Sequence, residues 1–259
     1  MTVSRRRVGA VVRKELREYR RNGSIVSAMA VIPLIFVLPP LINIFALPAS
    51  SASALHGGRP LLYLLGIPAV VPAVVVAYAV VGERQQGTLE PLLTTPLRRE
   101  EFLLGKALAA LVPSLAVSYA VYAAVLASVE LFARPAVAAA LLRPPPLVAQ
   151  VLFAPLLATW SIWLGMAIST RSGDVRVAQQ LGMLASLPSV AATTLVAYDI
   201  VHATLGLALV AAAALLALDA LGWRLTAALF DRERLVTGDS RRSHPRRARR
   251  SPPPAAGAA

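Results

Sequence analysis

The sequence predicts an all-α integral membrane protein with six transmembrane helices. It also predicts an interfacial helix at the N-terminus and a short helix in the long polar loop between spans two and three. Three observations carry this. Hydrophobic residues make up 57% of the 259, and only 15% are charged, where a soluble domain carries about 25%; mean hydropathy is +0.65. Six windows hold no Lys, Arg, Asp or Glu: Ser24–Gly58, Pro60–Gly82, Ala107–Val129, Pro144–Thr170, Val177–Tyr198 and Ile200–Leu218. Each approaches or exceeds the roughly 20 residues that cross the hydrocarbon as a helix. All but three (Arg59, Arg134, Arg143) of the 26 Lys and Arg lie in alternate connections or at the termini.

Helices are the expected form because backbone groups in lipid must be satisfied within the segment. Alanine and leucine dominate and period-2 alternation is absent, which argues against a membrane barrel. The spans are placed at about 24–45, 61–82, 107–129, 146–169, 177–198 and 200–221. The basic residues then put both termini and the loop 83–106 on the cytoplasmic side. Five spans would force one basic end outside. The net charge of +13 is thus mainly a topology signal and a contact with anionic membrane lipid. Nucleic acid is not expected as a partner, because no aromatic residue is interleaved with the tail arginines. The chain has no cysteine, so disulfides, thiolate chemistry and Cys-based metal sites are excluded.

Residues 1–23 read as an elbow lying along the inner leaflet. Val8, Val11, Val12, Leu16 and Tyr19 share one arc at 3.6 residues per turn, with Lys14 and the arginines around the rest. Glu15 falls inside that arc, so its carboxylate must reach a partner or snorkel. A basic flank that only sets topology is the plainer reading. Ala52-Ser53-Ala54 resembles a signal-peptide cleavage site, but the charged region ahead is long and the apolar stretch exceeds the usual length of roughly 7–15 residues.

Prolines interrupt the spans: Pro33, Pro39 and Pro40 in the first, Pro68 and Pro72 in the second, then Pro113, Pro155 and Pro188. Each removes a backbone hydrogen bond and allows a kink. Outside, 46–60 is a Ser/Ala-rich loop, and 134–146 ends in Pro144-Pro145-Pro146, which cannot continue a helix from upstream. Asp199 separates the fifth and sixth windows with almost no connection, so two spans joined by a tight, partly re-entrant turn are expected. The basic tail 224–259 is expected to be disordered from Asp239.

The loop 83–106 carries Glu83, Arg84, Glu90, Arg98, Arg99, Glu100, Glu101 and Lys106. At about 3 kcal/mol per charge near the bilayer centre it must be aqueous. Thr88 can cap a short helix bearing Leu89, Leu92 and Leu93, with Pro91 tolerated in its first turn. Thr95 followed by Pro96 starts a second helix that runs through Lys106 into span three. A loop this long between two spans is suited to docking a partner.

The run Glu83-Arg84-Gln85-Gln86-Gly87-Thr88-Leu89-Glu90, with Leu92-Leu93-Thr94-Thr95-Pro96-Leu97 and Leu104-Gly105-Lys106, resembles the signature of ABC-2 type permeases, the membrane subunits of ATP-binding-cassette exporters. Lys14-Glu15 ahead of the first span, and Arg171-Ser172-Gly173-Asp174 with Gln179-Gln180 ahead of the fifth, are similar to the same family. The resemblance implies that 83–106 carries a cytoplasmic coupling helix seated in a groove of an ABC ATPase. Its coupling positions would be Glu83, Gly87, Thr88, Leu89, Glu90, Leu93, Thr95 and Pro96, and its elbow positions Lys14 and Glu15. It further implies a homodimer or a heterodimer with a second permease, in the cell's cytoplasmic membrane. The short connection at Asp199 departs from the family, which often places re-entrant helices there.

No G-x-x-x-x-G-K-[ST] loop is present, since Gly105-Lys106 lacks a glycine five residues upstream. ATP and its magnesium would therefore bind a separate ATPase chain, leaving no cofactor here. The expected function is the permease of an exporter for a lipophilic or amphipathic substrate such as a drug, antibiotic, lipid or glycan. The alternatives are an ion-coupled secondary transporter or an ABC-type sodium efflux permease. A secondary carrier needs ionisable groups near the midplane, whereas Glu130, Asp199 and Asp219 all edge their windows. An enzyme is not expected: His56, His202 and His244 are scattered, without a metal motif. Ser114, Ser118, Tyr119, Tyr122, Thr159, Ser161, Thr193 and Thr194 can either line a pathway or hydrogen-bond between helices.

Overall fold

A computed structural model of the chain describes residues 4–46, 59–85 and 98–229. All regular structure among them is helical. Helix α1 (Arg5–Arg21) meets α2 (Gly23–Phe45) at Asn22, whose side-chain oxygen accepts from the amides of Ser24 and Ile25 and so starts the second helix. The next span is segmented: α3 (Arg59–Leu62), a 3-10 turn (Tyr63–Leu65), α4 (Gly66–Val76) and α5 (Tyr78–Gln85). Then come α6 (Arg99–Phe132), the short α7 (Pro135–Leu141), α8 (Pro144–Arg171), α9 (Val175–Ala197) and α10 (Leu205–Leu229).

Among the described residues, six stretches are long and apolar enough to cross a membrane: Gly23–Phe45, Arg59–Glu83, Glu100–Phe132, Pro144–Arg171, Val175–Ala197 and Leu205–Ala228. The second is the axis of the bundle. Buried residues make up 94% of its apolar stretch, against 11% for the fifth and sixth, and α4 packs on α2, α6, α8 and α9. Two glycines permit this crowding. A Cβ at Gly165 of α8 would stand 3.1 Å from the Ala73 carbonyl oxygen, and one at Gly182 of α9 would stand 3.4 Å from the same atom. Small residues let membrane helices approach at backbone distance.

Helix α8 also sends two hydroxyls into the central span. Ser161 Oγ donates to the Ala69 carbonyl at 2.8 Å, and Ser169 Oγ donates to the Ala77 carbonyl at 2.9 Å. Ser169 Oγ in turn accepts from the Val81 amide at 3.2 Å. Ala77 and Val81 are four apart, the pair a regular helix would join directly. The hydroxyl bonds both ends of that rung, beside the interruption between α4 and α5.

The prolines divide by position. Pro33, Pro39 and Pro40 are accommodated within α2, and Pro144 occupies the first turn of α8, where its missing N–H costs nothing. The connection between the fifth and sixth spans, Tyr198–Thr204, contains no helix. Asp199 turns the chain there with φ at 60° and pairs with Arg59. The sixth span begins at Leu205 and runs past residue 221, taking Arg224 into the helix. Charge counting ended the apolar window at Leu218, but Trp223 and Thr226 pack on α8 and prolong the helix: the rings of Trp163 and Trp223 meet edge to face at 5.3 Å, and Thr226 Oγ1 donates to the Trp163 carbonyl at 3.3 Å. The expected Thr88 helix, the loop 46–60 for the most part and the tail beyond 229 lie outside the described residues.

Candidate functional site

Helix α1 buries Val8, Val11, Glu15 and Tyr19, spaced three or four apart on one face. That face lies along the start of α6. Close approach is possible because Gly105 has no side chain; a Cβ there would stand 2.6 Å from Val11 Cβ. Two polar junctions fasten the pair. At one end Glu101 Oε1 accepts from the Ser4 amide and from Arg7 Nη2, each at 2.9 Å, while Oε2 accepts from the Arg98 amide at 3.1 Å. A single carboxylate thus satisfies N-terminal amides of both α1 and α6, which otherwise lack intrahelical partners.

Two turns along is the second junction. Lys106 Nζ donates to Glu15 Oε1 at 2.8 Å and to Glu83 Oε1 at 2.9 Å. Lys14 Nζ lies 2.9 Å from Glu83 Oε1, 3.3 Å from Glu15 Oε1 and 3.2 Å from Glu18. Two ammonium groups and two carboxylates form a closed, charge-balanced ring. Lys106, Glu15 and Glu83 are almost fully buried, with side-chain exposures of 1%, 3% and 5%. Buried charge persists only when paired and hydrogen-bonded. Around Lys14, burial disfavours the ammonium, but the Glu83 bond and the charges of Glu15 and Glu83 outweigh it and hold its pKa above the ordinary lysine value. Tyr19, buried beside Glu15, is likewise pushed well above the usual phenol range, chiefly by burial. A cavity of about 420 Å³ opens beside the ring, bounded by Glu15, Tyr19, Tyr78, Glu83 and Lys106 among others.

The ring joins three elements distant in sequence: α1, the end of the second span and the start of the third. Both flanks of the 83–106 segment, at Glu83 and Lys106, are therefore tied to each other and to α1. Of the predicted site residues, Lys14, Glu15 and Glu83 come together here, while Gly87, Thr88, Leu89, Glu90, Leu93, Thr95 and Pro96 lie outside the described residues. Ser4, Arg7, Glu101 and the pairing role of Lys106 were not anticipated. For Lys106 the signal was Glu15 itself, an acid on an apolar arc that required a cation. Asp174, in the stretch ahead of the fifth span, caps α9 by accepting from the amides of Arg176 at 2.6 Å and Val177 at 3.4 Å.

The chain matches the family model described as ABC-2 family transporter protein over residues 9–219. It belongs to the ABC-2 transporter family. No curated protein matches it. As an ABC-2 transporter it is a multi-pass membrane transport subunit that is not itself catalytic. The matched stretch contains the whole ionic ring. Among the described residues no three His, Asp or Glu cluster as metal ligands.

Three hydroxyl-bearing residues of this ABC-2 transporter make contacts between helices. Ser118 accepts from Gln150 Nε2 at 3.3 Å, Tyr119 reaches the Val151 carbonyl at 3.4 Å, and Ser161 bonds across to Ala69. Thr159 and Thr193 bond within their own helices. Ser114 Oγ and Tyr122 Oη are buried without a hydrogen bond. Of the three acids weighed as intramembrane sites, Glu130 is exposed near the end of α6 and Asp199 sits in a turn. Asp219 departs from the expectation that it edges its window: it lies nine residues inside the end of the sixth span, at Ala228.

Proposed function

We propose that this chain is the permease of an ABC exporter, carrying a lipophilic or amphipathic substrate across the cytoplasmic membrane with energy from ATP hydrolysed on a separate subunit. The observation that supports this most is the Glu15–Lys106–Glu83–Lys14 ring. A force on the segment between Glu83 and Lys106 enters spans two and three together, and α1 with them. That is the mechanical requirement for an external motor to move a bundle. In this reading the loop docks the ATPase through Gly87, Thr88, Leu89, Glu90, Leu93, Thr95 and Pro96, the termini are cytoplasmic, α1 lies in the inner-leaflet interface, and two permeases assemble around the pathway.

The test is co-purification with the ATPase and reconstitution in vesicles. Gly87→Pro and Glu90→Arg are expected to leave insertion intact while ATP hydrolysis proceeds without transport. Full transport by both variants would contradict the role given to the loop, and transport driven by a proton or sodium gradient without ATP would replace the reading with a secondary carrier.

A further inference from the structure

The interface between α8 and α10 changes character along its length. Toward one end it is closed: Gly222 lies against Trp163, where a Cβ would come within 2.8 Å of the Trp163 Cβ, and the Trp163–Trp223 and Thr226 contacts lock the two helices. Toward the other end the helices part, leaving a groove of about 630 Å³. Its walls include Val151, Leu152, Pro155, Leu156, Ala212 and Leu216 and are apolar almost throughout. The volume is that of a small-molecule site.

Asp219 stands where the groove ends and the closed contact begins. Ala212, Leu216, Asp219, Trp223 and Thr226 follow one another at steps of four, three, four and three, so they share one face of α10. Leu216 above is a groove wall; Trp223 and Thr226 below touch Trp163. Asp219 is 8% exposed, its Oδ1 is buried without a partner, and it forms no hydrogen bond or ion pair among the described residues. At 1.5 Å per residue it sits about 4 Å from the midpoint of the Leu205–Ala228 span. A carboxylate so deep and so isolated is costly, and such residues mark ligand or ion pathways.

We propose that the α8–α10 groove is a binding site for an amphipathic organic cation, with the apolar tail along Leu152, Pro155 and Leu216 and the ammonium at Asp219. The charge complementarity selects this occupant. A neutral lipid chain would fill the walls and leave Asp219 without a partner. A metal ion would find one carboxylate and no oxygen cage, whereas hard cations take six or more oxygen ligands. The inference deepens the transport reading by naming the charge of its substrate, and rests on that reading for its physiological sense.

A photolabelling experiment on the full chain in bilayer nanodiscs, without nucleotide, tests it. The probe is a dodecylamine with a mid-chain diazirine, compared with the corresponding alcohol. Labelling by the amine is expected in peptides covering 151–156 and 212–216, competed by dodecylamine and not by dodecanol. Asp219→Asn should weaken it about tenfold, as loss of one desolvated charge pair implies, and Leu216→Trp should abolish it by filling the groove. Equal labelling by amine and alcohol, or undiminished labelling of Asp219→Asn, overturns the proposal. Should Asp219→Asn fail to fold, the amine–alcohol comparison on the unaltered chain and Leu216→Trp decide it. No ATPase is present, so failure here leaves the exporter reading intact; labelling as expected with no ATP-driven transport would defeat only that reading.

Discussion

Lys106 and Glu15, 91 residues apart, meet at 2.8 Å with both side chains buried. Glu83 completes the contact from the end of the preceding span. A cation held between two carboxylates cannot be removed alone. Lys106→Met is expected to leave Glu15 and Glu83 sharing Lys14 alone, one buried negative charge in excess, and to cost about 3–5 kcal/mol. Thermal unfolding in detergent should show this as a large fall in Tm. A Glu15→Gln/Lys106→Met double variant should lose less than the two single changes added together, since each removes the other's stranded partner.

Gly105 brings α1 onto α6. Gly105→Ala places a methyl 2.6 Å from Val11 Cβ and Cγ1, and a β-branched side chain on a helix has little freedom to yield. The expected loss is about 1–3 kcal/mol. Val11→Ala should recover only part of it, because the Cβ contact remains. Limited proteolysis of α1 reads the outcome: faster cleavage in Gly105→Ala, intermediate in the double variant.

Alkali should release α1. The pKa of Lys14 is raised above its ordinary 10.5 and that of Tyr19 above its ordinary 10.0. A group whose folded pKa exceeds its unfolded value stabilises the fold fully below the unfolded value, and that contribution is lost as pH rises through the folded one. Docking by these two groups is therefore constant across neutral pH and weakens above about pH 10. A cysteine introduced at Val12 in this cysteine-free chain, mixed with a thiol reagent from pH 7 upward, should show protection falling only at the alkaline end, after correction for thiolate content. A fall centred near neutrality would contradict the assignment.

Ser169 is the fourth test. Ser169→Val removes the hydroxyl between the Ala77 carbonyl and the Val81 amide. Buried polar groups left unsatisfied cost about 1–3 kcal/mol each. Ser169→Thr keeps the hydroxyl and should keep most of the stability. Equal melting temperatures for the Val and Thr variants would argue against the bridge.

What the sequence disclosed follows from the bilayer. Hydrocarbon penalises charge wherever it is exposed to lipid, so charge-free windows mark six spans without knowledge of tertiary structure. The same logic misled at Asp219, because charge counting assumes an acid lies at a membrane edge, while packing against Trp163 carries this one inward. Glu15 was legible as an anomaly, yet beyond the adjacent Lys14 its partner is Lys106, 91 residues away, and no local pattern names it. Ser169 was invisible for a related reason: a serine near a helix end reads the same whether it faces lipid or enters another helix's hydrogen-bond ladder. The small residues of α8 and α9 at Ala73 indicate close packing but not which helix comes near.

The gap at Ala77 bears on how the central span moves. The Ala77 carbonyl and the Val81 amide each hold a bond to a neighbour's hydroxyl, so a bend at that point leaves both with a partner. The eight-residue piece beyond, Tyr78–Gln85, can tilt as a rigid stub while the upper shaft stays clamped between Gly165 and Gly182. Glu83 rides on that stub. A stroke delivered there would swivel the foot of the axle first, with the bundle's grip on the shaft deciding how far upward the rotation spreads.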